Sequence, residues 1–321
     1  MVSLPLAHIS WAIAGNADRP ACDAFFAELF GATSVYEMLI TPETEKYRFD
    51  REERLMVVGD TMIIPIAPAG PGAETGNPLG DMLRRAAGEN RWIGLAFRAA
   101  DLKSADAWFR ARGFKLHYDQ GMEEHYFLIT KWQALGVRIE IMQGELPNDP
   151  RLQPDWAPMR WRDHHPLGIE GLLSVDVSVP DLEKAREIFR DHFDWPLLSE
   201  RDLPGEHSRG AAFLMGDAVI EALCPTRDDT ALAAHARNTP GLCGMTFKVR
   251  DAAAAAEHLR ERGFTLIGDV TTRFAITPEQ AHGRLIWLTE HIPAGWPAPQ
   301  CLIREPARFP PVPDDATARM D

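Results

Sequence analysis

The chain has 321 residues, 45% hydrophobic and 25% charged, with a formal net charge of −13. That length allows two ordinary domains with a large buried core, and an acidic surplus without a long basic run argues against nucleic acid or an anionic membrane as partner. Four cysteines, Cys22, Cys224, Cys243 and Cys301, show no CxxC spacing, which argues against a zinc knuckle or a disulfide framework and suits a reducing cytoplasm.

The opening MVSLPLAHISWAIAG is apolar but lacks a basic segment, and Asp18, Arg19 and Asp23 follow at once. It reads as a buried strand rather than a signal peptide. No apolar run approaches the roughly 18 residues needed to span a bilayer. The expectation is a cytoplasmic protein, monomer or homodimer, whose partner is a small-molecule substrate.

Along the chain one unit recurs. LAHISWAIAGN alternates as a strand does, ADRPACDAFFAELFG carries an apolar stripe at helical spacing, and ATSVYEM resumes the strand pattern. WIGLAFRAADL, KSADAWFRARG and FKLHYD repeat this order, then GLLSVDVSVPDL, EKAREIFRDHF and WPLLSE, then LCGMTFKVRDA, AAAAEHLRERG and FTLIGDV. RARGFKL at Arg110–Leu116 and RERGFTL at Arg260–Leu266 are nearly the same phrase. Asp101, Asp181 and Asp251 stand where helices want an N-terminal cap. Gly31, Gly113 and Gly263 stand where a left-handed cap closes them. Three strand-like stretches follow each helix, the last being TMIIPIAP, VRIEIMQ, AVIEALCP and GRLIWLTE. The unit is therefore βαβββ, written four times. Residues 1–147 hold the first two copies and 167–297 the last two. The Pro- and Trp-rich run 148–166 is read as a linker, residues 68–90 as the joint between copies one and two, and 298–321 as a Pro-rich tail.

The layout resembles the vicinal oxygen chelate superfamily, which includes glyoxalase I, methylmalonyl-CoA epimerase, extradiol dioxygenases and bleomycin-resistance proteins. HISWAI, LAFRAADL, VDVSVPDL and RIEIMQ carry the resemblance. It implies an α+β fold: two glyoxalase-like domains of two modules each, with curled mixed sheets, a concave cavity and helices outside. Whether module 1 pairs with module 2 or with module 4 is open from sequence.

Strand side chains alternate in direction. On the four first strands one face reads Ile9, Trp11, Ile13, then Leu95, Phe97, Ala99, then Val175, Val177, Val179, then Met245, Phe247, Val249: a face for helices. The other reads His8, Ser10, Ala12, then Gly94, Ala96, Arg98, then Ser174, Asp176, Ser178, then Gly244, Thr246, Lys248. A face that is small and polar in every copy predicts a pocket.

The resemblance also implies metal ligands at the first-strand histidine position and a fourth-strand carboxylate position. The first slots hold His8, Gly94, Ser174 and Gly244; the second are aligned to Pro65, Glu140, Glu221 and Trp287. His8 and Glu140 are thus the candidate catalytic pair. His125, expected to begin a third strand, is a third candidate for catalysis or ligation. These three would hold a divalent ion (Fe, Mn, Zn, Ni or Co, identity open). Arg98, Asp176, Glu221, Lys248 and Trp287 are candidate substrate-binding residues, with Lys248 or Arg98 as the alternative structural partner of Glu221. Trp132, Trp161 and Trp287 are candidate apolar walls.

The function so implied is a lyase or isomerase acting by metal-assisted or His/Glu proton transfer on a small oxygenated organic substrate, whose ring, aromatic or alicyclic, such walls would suit if it has one. The alternatives are an Fe(II) ring-cleaving dioxygenase and a non-catalytic small-molecule binding protein.

Overall fold

The structure is a computed structural model that describes residues 2, 4–13, 18–38, 51–68, 92–119, 122–146, 148–299 and 305–310. Most of the joint between the first two modules and most of the Pro-rich tail lie outside the described residues.

The first module runs β1 (Leu6–Ala12), α1 (Arg19–Phe30), β2 (Thr33–Met38), β3 (Arg51–Val58) and β4 (Thr61–Pro68). The second runs β5 (Trp92–Ala99), α2 (Leu102–Arg110), β6 (Leu116–His117), β7 (Tyr126–Ile129) and β8 (Arg138–Gln143). A short helix, α3 (Met159–His164), precedes the third module: β9 (Ile169–Ser178), α4 (Leu182–Arg186, continued by a π-helical turn Glu187–His192), β10 (Leu197–Leu203), β11 (Ser208–Leu214) and β12 (Val219–Pro225). After α5 (Ala231–Asn238) come β13 (Gly241–Val249), α6 (Ala252–Glu261), β14 (Leu266–Asp269), β15 (Arg273–Ile276) and β16 (Ile286–Thr289).

The cap residues act as their positions require. Asp101 accepts from Ser104 N at 2.7 Å, Asp181 from Glu183 N at 2.8 Å and Asp251 from Ala254 N at 2.9 Å. Each satisfies an amide that the first helical turn leaves without a partner.

Two eight-stranded sheets result, ordered β2-β3-β4-β1-β5-β8-β7-β6 and β10-β11-β12-β9-β13-β16-β15-β14. In each, the two first strands meet antiparallel at the centre, and each first strand pairs parallel with its own fourth strand. Module 1 therefore shares a sheet with module 2, and module 3 with module 4.

The predicted core face of every first strand is buried in one large apolar cluster. That cluster spans both halves: Phe114 meets Phe193 at 4.7 Å, Phe97 meets Trp195 at 5.9 Å, and Phe25 meets Phe264 at 6.1 Å between ring centroids. The helix-covered faces thus share one core, and the polar faces lie on the far side of each sheet from it.

The segment 148–166 packs against the N-terminal half. Arg151 reaches Asp60 O at 3.0 Å and Ala7 O at 2.9 Å, and the buried Trp161 donates to Phe30 O at 3.0 Å.

A reciprocal clasp joins the halves. Leu172 N donates to Asp60 Oδ1 at 3.1 Å, and Leu6 N donates to Asp217 Oδ1 at 3.0 Å. Each aspartate sits in the turn between a third and a fourth strand and reaches the opposite half's first strand. Burial holds the Asp60 carboxyl above its ordinary range. Asp60→Ala should cost about 1–3 kcal/mol, the cost of an orphaned buried amide. Chemical denaturation of Asp60→Ala, Asp217→Ala and the double variant checks this; an unchanged midpoint in the double variant would remove the clasp from the stability of the fold.

Candidate functional site

The concave face of the first sheet encloses a cavity of about 430 Å³. His8 and Ser10 enter it from β1, Ile64 and Ile66 from β4, and Arg138, Glu140 and Met142 from β8. Because Ile139 and Ile141 turn the opposite way into the shared core, Glu140 is a cavity-facing side chain, 25% exposed, rather than a carboxylate sealed among isoleucines. His8 Nε2 lies 3.8 Å from Glu140 Oε1. The His8 side chain is 10% exposed, and its Nδ1 has no protein partner among the described residues.

Strand register corrects one alignment. Glu140 pairs with Ala96, and Ser10 pairs with Ile64 in the same sense. The fourth-strand slot of module 1 is therefore Ile64, not Pro65, which pairs with Trp11 on the core side.

His125 also departs from expectation. β7 begins at Tyr126, and His125 sits in the exposed turn before it, at the cavity rim. Leu128 pairs with Glu140, so Tyr126, two residues earlier, shares its face, and the third strand sends a phenol rather than an imidazole into the cavity. Tyr126 donates to the buried Asp119 at 2.7 Å, and Asp119 also has His117 Nε2 at 3.2 Å and Arg138 Nη2 at 3.7 Å. Burial, the Asp119 hydrogen bond and the Asp119 and Glu140 charges all push the Tyr126 phenol above its usual range. It therefore stays protonated.

The second sheet encloses a larger cavity of about 820 Å³. Trp287 lines it with Arg273 stacked 4.6 Å from its ring. Glu221 and Asp176 lie beneath, 0% and 1% exposed. The partner of Glu221 is Arg201, which donates Nε and Nη2 to its two oxygens at 2.7 Å each. Lys248 instead pairs with Glu170 at 3.0 Å, and Arg98 faces a separate groove with Gln143, Glu145 and Arg308. Asp176 meets Arg273 Nη1 at 3.1 Å, and Arg273 Nε also donates to Glu206 at 2.6 Å. Burial raises the Asp176 carboxyl to about 6, against the pull of Arg273. Of the other proposed walls, Trp132 is 68% exposed and Trp161 lies under α1, away from either cavity.

Arg201, Glu206, Arg273 and Trp296 in one cavity, and Arg138 and Tyr126 in the other, are absent from the candidates read off the sequence. Arg138 alone was accessible, two residues from Glu140 on one strand.

Residues 171–276 match the family model of the Glyoxalase/Bleomycin resistance protein/Dioxygenase superfamily. The matched segment lies in the C-terminal half, from β9 to β15. No curated protein matches the sequence. Among solved structures, a triple mutant of 4-hydroxymandelate synthase from Streptomyces coelicolor is similar at 17% identity and a TM-score of 0.60, covering 84% of this chain and 78% of that one. Methylmalonyl-CoA epimerase from Mycobacterium tuberculosis is similar over 39% of this chain and 90% of its own, at 27% identity and a TM-score of 0.36. The first likeness is one of fold across both halves. Among the described residues, no helix is long and apolar enough to cross a membrane.

Superfamily members commonly bind a divalent ion. The donor set here does not fit a centre with three protein ligands, the usual minimum for a catalytic metal. In the N-terminal cavity His8 and Glu140 are two donors, while Ile64 and Gly94 fill the remaining slots. A Cβ at Gly94 would lie 2.2 Å from Arg138 O, so no side chain fits there. In the C-terminal half Glu221 is occupied by Arg201. Among the described residues no three His, Cys, Asp or Glu side chains gather to hold an ion, so the expected His8–Glu140–His125 triad is not assembled.

Proposed function

We propose that the N-terminal cavity catalyses proton transfer at a carbon beside a carbonyl, as a lyase or isomerase acting on a small oxygenated substrate. The approach of His8 Nε2 to Glu140 Oε1, 3.8 Å apart in one cavity, carries the reading. A partly exposed carboxylate can take a proton from substrate carbon, and an imidazole within reach of the same substrate can protonate the carbonyl oxygen. Both atoms face the same cavity, so one substrate can lie against the two. Arg138, on the same face of β8, would hold a substrate oxygen. Tyr126 keeps its proton in a hydrogen bond to Asp119, so its role is to fix the wall rather than to exchange protons. Apolar Ile64, Ile66 and Met142 limit water around the carbanion as it forms.

Two donors favour this acid–base chemistry over the Fe(II) dioxygenase reading, which calls for a two-histidine, one-carboxylate set with open positions. The test is isotopic. Incubated in D2O with 2-oxo acids, 2-hydroxy ketones and acyl thioesters, the protein should exchange hydrogen beside the carbonyl of at least one class far faster than buffer does, as read by proton NMR. Oxygen uptake with catechols and no exchange would favour the dioxygenase. Binding without either would leave a binding protein.

A further inference from the structure

The C-terminal cavity lies on the other sheet from the His8–Glu140 pair, and its floor is built differently. Glu221 occupies the superfamily's carboxylate slot but is wholly buried, with a guanidinium nitrogen on each oxygen. Room for this arrangement is made by Gly210 on β11, where a Cβ would lie 2.5 Å from Glu221 Oε1. Such a fork-to-fork pair is the strongest geometry open to two side chains, and arginine cannot give up its charge. A divalent ion would have to displace it, with Ser174, Gly244 and Trp287 offering little in return.

What remains of Arg201 points to a use. Nη1 makes no hydrogen bond to protein among the described residues, and the side chain lines the cavity at 29% exposed. Its guanidinium lies 4.9 Å from the Trp296 ring, itself anchored by Nε1–H donating to Ser199 Oγ at 2.8 Å. Trp287 supplies a second indole, whose Nε1–H is buried without an acceptor among the described residues. The cavity thus offers flat apolar walls and, at Arg201 Nη1, an N–H donor in want of an acceptor oxygen. Charge narrows the ligand further. Arg201 and Glu221 cancel, while Arg273 stands between Asp176 and Glu206, leaving the floor with one acid in excess. An anion is repelled by that excess, and a cation finds each of the three floor carboxylates already paired.

We propose that Arg201 takes the place of the superfamily's metal ion on Glu221, and that the C-terminal cavity binds a flat, uncharged ligand through a carbonyl oxygen on Arg201 Nη1, without metal. The carbonyl accepts from the guanidinium as it would coordinate an ion, and the ring of the ligand packs on the indoles.

The experiment is a calorimetric titration of the full chain, freed of metal with EDTA, against benzamide, benzoate and benzamidinium, which share a shape and differ in charge. Benzamide should bind at a Kd on the order of 0.1–1 mM, as befits a ligand of its size, more tightly than either ion and equally well with added Mn²⁺. Arg201→Met combined with Glu221→Met, an apolar pair that strands neither partner's charge, should weaken binding by about ten- to a hundredfold, the loss of a hydrogen bond from a charged donor, while the melting temperature holds. Glu140→Gln should bind as the wild type does, which separates this site from the catalytic reading. Undiminished binding by the folded double variant, a need for Mn²⁺, loss of binding in Glu140→Gln, preference for either ion, or failure of all three probes would each overturn the proposal.

Discussion

Glu140→Gln is expected to lower turnover by about 10²–10⁴, the usual share of a general acid–base group, while leaving the fold intact. Glutamine keeps the size and polarity of the side chain and loses only its capacity to take a proton. The carboxylate is partly solvated and its recorded ion-pair partner is His8 at 3.8 Å, beyond hydrogen-bond length, so little stability depends on it. His8→Gln should show a loss of similar order. If the two act as one proton-handling unit, the double variant will be scarcely worse than either single one, because groups that act together are far from additive. Hydrogen exchange in D2O and product formation, each on the substrate found by the exchange screen, supply the two readouts. Full activity in Glu140→Gln would end its candidacy, and strictly additive losses would show two groups working at separate steps.

The order of elements was legible because each module carries its own punctuation. The aspartate caps and closing glycines mark helix ends independently of tertiary context, and alternation sorted Ile9, Trp11 and Ile13 to the core and His8 and Ser10 to the cavity. Pairing of modules was not legible, since alternation says which face is buried but not which edge a strand meets. Small errors followed from the same limit: Pro65 for Ile64, and His125 for Tyr126, are single-residue shifts that invert the face, and only register resolves them. The C-terminal floor was hidden for another reason. Arg201 lies in LLSERDL and Arg273 opens a four-residue strand, and nothing local distinguishes either from a solvated charge; their carboxylates stand 20 and 97 residues away. One signal was in plain view. Gly-Asp recurs at 59–60 and 216–217, in the same place of modules 1 and 3, yet its meaning as a clasp depends on the two halves being docked.

Arg273→Met should be the most destabilising single change in the C-terminal half, by about 3–5 kcal/mol, because it strands a buried charge. Asp176 is 1% exposed and Arg273 side-chain exposure is 9%, so water cannot replace the lost partner. Glu206, on the same guanidinium, loses its partner too. The deficit should depend on pH with a definite sign. In the wild type burial already raises the Asp176 carboxyl from 3.8 to about 6, and Arg273 is the largest influence opposing that rise. Between those values the folded state holds a proton that the unfolded chain releases, so this group's contribution to stability falls as pH rises through the window. Without Arg273 the carboxyl climbs further and the window extends upward. At pH 4 it is protonated in the folded state of wild type and variant alike, and the variant should then lie nearest the wild type. Denaturant unfolding at pH 4 and pH 7.5 tests both points: the gap should widen with pH, and Asp176→Asn placed on Arg273→Met should recover much of it at pH 7.5. A gap that is the same at both values, or no recovery with asparagine, would mean that packing of the arginine stem on Trp287, rather than its charge on Asp176, holds this part of the sheet together.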